Sequence, residues 1–165
     1  MVGGGKVAAR KAEQLLDFGG EVTVVAKEAG PALLSLAAAP GAGKQLQLKI
    51  RPFKPEDISG MTLVIAATDD SDCNRTVAAC CRAGHIPVNV ADVPELCDFY
   101  FPALVKRGDL VVGISTGGKS PAFARKVREK LEELLPEELG EKLSQAGRLR
   151  ELLLAKGLAP AEDEE

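Results

Sequence analysis

The chain has 165 residues, of which 45% are hydrophobic and 27% charged, values that place it with globular domains and exclude disordered and fibrous classes. Its net charge of −3 comes from the acidic end Glu162-Asp163-Glu164-Glu165, without which 21 basic residues face 20 acidic ones, so charge singles out no partner. No apolar run reaches the roughly 18 residues that span a bilayer, and the absence of Trp with only 4% aromatics removes the usual platform for single-stranded nucleic acid.

The four cysteines, Cys73, Cys80, Cys81 and Cys97, form no C-x-x-C pair, and His85 is the one imidazole. A Cys/His metal site is therefore not expected, and the thiols read as buried and reduced. His85 reads as a surface-loop residue. Met1 leads straight into glycines and not into a secretory signal, which gives a cytoplasmic expectation.

In chain order, Met1-Val2 precede the turn Gly3-Gly4-Gly5. The segment "KVAARKAEQLLDFG" then reads as a helix, with Val7, Ala8, Leu15 and Leu16 on a shared face and Gly19-Gly20 at its end. "EVTVVA" (21–26) is β-branched and short, hence a strand. "GPALLSLAAA" suits a short helix, "PGAGK" (40–44) a loop, and the alternating "QLQLKI" (45–50) a half-exposed or edge strand. The continuous apolar run "MTLVIAAT" (61–68) predicts a strand buried on both faces. "DDSDCNRTVAACCRAG" caps and forms a helix, and "IPVNVA" (86–91) is a further buried strand.

This alternation predicts an α/β fold with a Rossmann-type doubly wound parallel sheet over residues 1–92. Such a sheet needs a full strand before its glycine turn, and only Met1-Val2 stand there. A truncated first strand with reduced stability is the expectation; a sheet that manages with a stub is the alternative. Residues 93–160 form a second region. "DFYFPALVKRGDLVVGIST" predicts a hairpin around Lys106-Arg107-Gly108-Asp109, and helices follow from Pro121 with a break at Pro136. A hairpin and two helices bury little core of their own, so this part is expected to dock on the first or on a second copy. Residues 161–165 read as a disordered acidic tail.

Two glycine motifs invite phosphate. Gly3-Gly4-Gly5-Lys6-Val7-Ala8 fits G-x-G-x-x-[GA], which lets a backbone turn approach a pyrophosphate at a helix N-terminus. The acid that usually holds the ribose after the second strand is not clean: Ala26 and Lys27 occupy that region, with Glu28 just beyond. The ribose contact, and so NAD against NADP, stays open, and Lys27 could favour a 2′-phosphate. "GISTGGKS" (113–120) matches the P-loop pattern, but only helices follow it, with no later strand to carry a Mg²⁺-binding acid. Gly117-Gly118 as a turn and Ser120 as a helix cap before Pro121 account for the same residues.

"VGGGKVAARKAEQLL", "VIAATDDSDCN" and "VNVADVPELCDFYFPALVKRGDLVVGISTGGKSPAFARKVREKLEELLP", in collinear order, resemble the precorrin-2 dehydrogenase / sirohydrochlorin ferrochelatase family, the N-terminal unit of siroheme synthases. The resemblance covers about residues 2–140. It implies NAD-dependent oxidation of precorrin-2 to sirohydrochlorin, with insertion of Fe²⁺ or Co²⁺ by some members. It also implies a homodimer with interlocked C-terminal parts, and no membrane or nucleic-acid partner. The methyltransferase domain fused in some siroheme synthases is expected to be absent.

Carried over, the resemblance makes Asp92 the catalytic carboxylate; read on its own it is first a strand-end aspartate that caps the turn before Pro94. Gly3, Gly4, Gly5, Lys6, Val7, Ala26, Lys27, Thr68, Asp69 and Asn89 are the candidate cofactor residues. Asn89 could instead satisfy backbone groups, and Asp70 or Ser71 could cap a helix. Ser115, Thr116, Gly117, Gly118, Lys119, Ser120 and Arg125 are the candidate tetrapyrrole residues. Ser120 matches a family serine phosphorylated in a relative and is taken here as lining the site. A substrate with eight carboxylates calls for cations, and Lys106, Arg107, Lys119, Arg125 and Arg128 are available, the last pair on one helix face. Arg10 and Lys11 read as surface or dimer contacts. No residue is assigned to a protein-bound metal. The rival classes are a non-catalytic NAD-binding regulatory module and a P-loop nucleotide binder.

Overall fold

The structure is a computed structural model that describes residues 1–41, 43 and 45–158. The loop over 40–44 lies partly, and the acidic tail over 161–165 wholly, outside the described residues. The chain divides into two compact units, Met1–Phe99 and a second from Tyr100 onward.

The first unit runs α1 (Lys6–Leu16), β1 (Val22–Ala26), α2 (Pro31–Ala38), β2 (Leu46–Ile50), β3 (Val64–Ala66), α3 (Ser71–Ala83) and β4 (Val88–Val90). β1 pairs with β2 in parallel from Val22↔Leu46 to Ala26↔Ile50, and β3 pairs with β4 in parallel from Val64↔Val88 to Ala66↔Val90. Val2 joins the two pairs, with parallel bridges to Val25 on one side and Ala66 on the other. Four backbone bonds hold it there: Val25 N to Met1 O at 2.9 Å, Gly3 N to Val25 O at 2.9 Å, Val2 N to Ile65 O at 2.7 Å and Ala67 N to Val2 O at 2.8 Å. Val2 thus bridges the β1 and β3 edges, giving the spatial order β2, β1, Val2, β3, β4.

The strand expected over 61–68 shrinks to Val64–Ala66. A 3-10 turn over Pro55–Ile58 and Gly60 at φ +73 bring the chain in from the surface, where Met61 is exposed. β3 and β4 are each fully buried, as a continuous apolar run requires.

Each face of this sheet has its own core. Val2, Val64, Ala66, Val88 and Val90 meet Val77, Ala78 and Cys81 of α3. Val22, Val24, Ala26 and Leu46 meet Ala9 and Ala12 of α1 and Leu33 of α2. The buried face of α1 is Ala8, Ala9 and Ala12, while Val7, Leu15 and Leu16 are only half-buried. Small side chains let the helix backbone lie close to the sheet, and the larger ones are left to its rim. All four cysteines are free, but only Cys81 is fully buried. Burial pushes its thiol up to about 11, so it packs as a hydrophobe and not as a nucleophile.

The second unit opens with a hairpin, β5 (Ala103–Arg107) against β6 (Leu110–Ile114), antiparallel and closed by Gly108-Asp109 with Gly108 at φ +58. α4 (Pro121–Leu134) and α5 (Glu138–Ala155) follow, separated at Pro136. The fully buried hydrophobics of this unit are Val105 and Ala124, whereas Leu134, Leu149, Leu152 and Leu154 are exposed among the described residues. No helix among the described residues is long and apolar enough to cross a membrane.

Arg51, just past β2, forks onto Asp57 (Nη1 to Oδ2, 2.8 Å), which also accepts from Lys54 N at 2.9 Å. The Arg51 hydrogen bond is the main force holding the Asp57 carboxyl down to about 2. A carboxyl lowered on folding stabilises the fold above its ordinary range, and that stability is lost as pH falls from about 4 through about 2. Acid titration of thermal stability should show this loss, and Arg51→Gln should remove the step between pH 4 and 2 while lowering stability at neutral pH.

Candidate functional site

The ends of β1, the stub and β3 converge on the glycine turn. Gly3 sits at φ +119, and a Cβ there would lie 2.2 Å from Ala67 O. A Cβ on Gly4 would lie 1.9 Å from Glu28 O, and Gly30 N donates to Gly4 O at 2.8 Å. These two glycines are demanded by the close passage of the chain after β1 and β3. Gly5 differs: a Cβ there meets nothing within 4 Å. It is the N-cap of α1, makes no side-chain cap, and no acid stands in the first turn. The head of α1 thus carries no side-chain cap, and the place that a Gly5 Cβ would take is empty, which fits a dinucleotide pyrophosphate. Lys6 is exposed and Val7 half-buried in that first turn.

Beside the turn, Ala26 ends β1 buried, and Lys27 is exposed. Across from them the loop after β3 is locked. The Asn74 amide, 5% exposed, accepts from Thr68 N at 3.2 Å and Thr68 Oγ1 at 2.7 Å, and donates to Thr68 O at 2.9 Å. Asp69 is exposed. Asp70 caps α3, its Oδ1 accepting from Asp72 N at 3.1 Å and Cys73 N at 3.0 Å. Asn74 was missed from the sequence, although a polar side chain on the inner face of an amphipathic helix is the signal that would have found it.

Asn89 lies on β4, 4% exposed, donating to Phe99 O at 2.8 Å and accepting from Lys11 Nζ at 3.0 Å. Its amide thus serves backbone and Lys11. Lys11 is half-buried, and burial pulls its ammonium below the usual lysine range, so a purely surface role does not describe it. Cys97 adds to this knot, its Sγ 3.2 Å from Val90 N and 3.1 Å from Val90 O. Asp92 stands two residues beyond β4, exposed, at φ +61. A non-glycine residue there carries strain of about 1–2 kcal/mol, least for Asp and Asn. Asp69 and Asp92 each follow a strand end at the same edge of the sheet.

The remaining candidates lie in the second unit. Gly117 (φ +59) and Gly118 (φ +78) turn the chain, and a Cβ on Gly118 would come within 3.0 Å of the Tyr100 ring. Lys119 N donates to Thr116 O at 3.1 Å, Ser120 N to Thr116 Oγ1 at 3.2 Å, and Gly117 N to Ser115 Oγ at 3.2 Å. Ser120 Oγ caps α4 by accepting from Phe123 N at 3.2 Å. β6 pairs antiparallel with β5, and no parallel strand flanks it among the described residues, so the P-loop match is a turn and a cap. The cations are unequal. Lys119 is exposed, Arg125 pairs with Glu129 at 3.0 Å and Arg128 with Glu132 at 2.8 Å. Arg107 is spent on the end of α4, donating to Leu135 O at 2.7 Å and Glu132 O at 3.2 Å. His85 is exposed at φ +54, and no group of three His, Cys, Asp or Glu side chains gathers for a metal among the described residues.

Residues 1–103 match a family model described as putative NAD(P)-binding, and residues 107–134 match one described as sirohaem biosynthesis protein central. The chain belongs to the putative NAD(P)-binding family. It is 44% identical over 151 residues to a siroheme synthase of Methylococcus capsulatus, covering 92% of this chain and 31% of that protein. A siroheme synthase of Pseudomonas entomophila is 44% identical over 155 residues, 94% of this chain and 33% of the relative. The chain thus spans about a third of the length of these relatives. A solved precorrin-2 dehydrogenase, SirC, superposes with a TM-score of 0.73 at 28% identity, over 92% of this chain and 73% of that one. The resemblance to the precorrin-2 dehydrogenase family holds, and the "GISTGGKS" stretch falls inside its sirohaem-biosynthesis segment.

The glycines separate folding from binding. Gly3→Ala should cost at least about 2 kcal/mol in denaturant unfolding, through its φ and the clash with Ala67. Gly5→Ala should leave stability within about 0.5 kcal/mol yet weaken NADH binding tenfold or more, by filling the space in front of α1.

Proposed function

We propose that this chain oxidises precorrin-2 to sirohydrochlorin with NAD⁺, in the cytoplasm, using a Rossmann-type sheet whose central strand is the Met1–Gly3 stub. The observation that carries the reading is the uncapped α1 N-terminus behind a glycine turn crowded by Ala67 and Glu28, in a chain related to siroheme synthases and to SirC. Gly3 to Val7 would hold the pyrophosphate, and Ala26, Lys27, Thr68 and Asp69 would flank the cofactor on its two sides. NAD⁺ supplies a two-electron acceptor for one hydride.

Loss of a hydride leaves the macrocycle with a proton to release. Asp92, exposed at a strand end at the same sheet edge as Gly3, accepts that proton at a carboxylate oxygen. Its left-handed backbone is a strain that the turn before Pro94 does not require of an aspartate, since glycine would fit it better. Ser115 to Ser120 would form a polar turn at the tetrapyrrole, with Lys119 and Arg125 meeting its carboxylates. Fe²⁺ or Co²⁺ would be a further substrate, the same carboxylate taking pyrrole N–H protons. The sparse core and exposed leucines of α5 favour a homodimer in which a second copy covers them.

Asp92→Asn should fold normally, bind NADH as before, and convert precorrin-2 anaerobically about 10²- to 10⁴-fold more slowly. Asp92→Gly should be equally inactive but about 1 kcal/mol more stable. Full turnover by either variant would remove Asp92 from the mechanism. NADH binding with no precorrin-2 conversion by the unaltered chain would favour a non-catalytic regulatory module.

A further inference from the structure

The pairing of Val2 with both β1 and β3 sets the loops after those strands on either side of the glycine turn. A Cβ on Gly4 meets Glu28 in one loop, and a Cβ on Gly3 meets Ala67 in the other. One ion pair crosses between these loops: Lys27 Nζ stands 3.9 Å from Asp70 Oδ2. The two ends are not equally mobile. Lys27 has a long chain and is 71% exposed. Asp70 is anchored, with Oδ1 bound to two amide groups at the start of α3, and the Asn74 clamp on Thr68 fixes the loop that carries it. Those backbone bonds, from Cys73 foremost, also hold the Asp70 carboxyl below its ordinary range, so it is anionic at neutral pH.

Lys27 follows β1 at the place where a dinucleotide-binding sheet discriminates the adenosine ribose. Taken alone it is a cation suited to a 2′-phosphate. Resting on the dinucleotide reading above, we propose that Asp70 sets a preference for the dinucleotide without a 2′-phosphate by neutralising Lys27 from across the glycine turn. A 2′-phosphate brought to this place finds the Lys27 ammonium already paired with an anchored carboxylate, and meets that carboxylate as a like charge. A ribose hydroxyl has neither problem. The acid missing from the end of β1 is thereby replaced, in charge if not in position, by one at the start of α3.

Asp70→Asn isolates the charge, because asparagine caps a helix as well as aspartate and keeps an oxygen for Asp72 N and Cys73 N. Fluorescence titration of the full chain with NADH and with NADPH gives the two affinities without any turnover. The unaltered chain should prefer NADH. Asp70→Asn should shift the NADPH/NADH affinity ratio toward NADPH by about three- to tenfold, less at 0.5 M salt than at low salt. Lys27→Gln combined with Asp70→Asn should abolish that gain, since the freed ammonium is what the phosphate uses. An unchanged ratio in Asp70→Asn with NADH still bound would overturn the assignment, as would a gain that survives Lys27→Gln. Binding of neither dinucleotide by the unaltered chain would overturn the dinucleotide reading itself, and this inference with it.

Discussion

The first unit depends on three residues. Among the described residues, Met1, Val2 and Gly3 are the backbone between β1 and β3, and without them the sheet is two separate parallel pairs. A two-stranded parallel pair is marginal by itself, because its hydrogen-bond ladder is short and both faces must be covered. The stub meets this with bonds on both sides and with a Val2 side chain that is almost fully buried in the α3-side core. Its position also fixes the next event. A chain leaving the centre of a sheet must turn at once to enter α1, and it must do so between two loops already in place. That is why Gly3 and Gly4 have no room for a Cβ, one against Ala67 and the other against Glu28.

The same crowding makes the candidate cofactor site rigid before any ligand arrives. Glu28 and Gly30 fix the turn from one side. Ala67 fixes it from the other, and Asn74 holds the residue after Ala67 by both its N–H and its carbonyl. What stays open is Gly5 and the head of α1. A preorganised donor set costs little entropy when an anion binds, so affinity there comes from geometry and not from a flexible loop closing. The polar side chains in this region are assigned in advance: Asn74 to Thr68, Asp70 to α3, Asn89 to Phe99 and Lys11. Asp92 stands apart from these, exposed and in a left-handed backbone conformation that asparagine and aspartate tolerate best among non-glycine residues.

Much of this was legible in the sequence, and the reasons differ by element. β1, β3 and β4 showed as β-branched or continuous apolar runs because buried parallel strands need apolar residues on both faces. The glycine turn showed because glycine is the residue that survives a contact under 3 Å at Cβ. The limits of the strand in "MTLVIAAT" did not show, since hydropathy does not record that Gly60 and a 3-10 turn deliver Met61 to the surface. The face of α1 was legible in part: Ala8 is fully buried as expected and Leu15 and Leu16 pack at the rim of the core, but hydropathy does not single out Ala9 and Ala12, which close helix–sheet packing selects for their size. Lys11 escaped because its role is long-range, set by Asn89 on β4 far along the chain, whereas Asn74, bonded to Thr68 six residues before it, left a local signal on the inner face of α3.

The second unit shows how residue type alone misleads about charge. The resemblance offered five cations for an anionic substrate, and the geometry sets four of them apart: Arg107, Lys119, Arg125 and Arg128. Arg107 is only 11% exposed in its side chain, with its guanidinium held by Leu135 O, Glu132 O and the Glu137 carboxylate. It closes α4, where the last carbonyls lack helical partners, and a cation is doubly favoured there. The backbone beside it is close-packed as well, since a Cβ on Gly140 would lie 2.7 Å from the Arg107 carbonyl. Arg125 and Arg128 share their charge with glutamates one turn along α4, so each offers a polyanion a screened cation that must first exchange partners. Lys119 follows a double-glycine turn supported by the Tyr100 ring, its own backbone N–H tied to Thr116. Rigid backbone with a mobile ammonium is the arrangement that lets one lysine follow several carboxylates on a flexible substrate edge. The proposed substrate contacts therefore rest first on Lys119 and the turn that presents it, and only second on the arginines of the helix that follows.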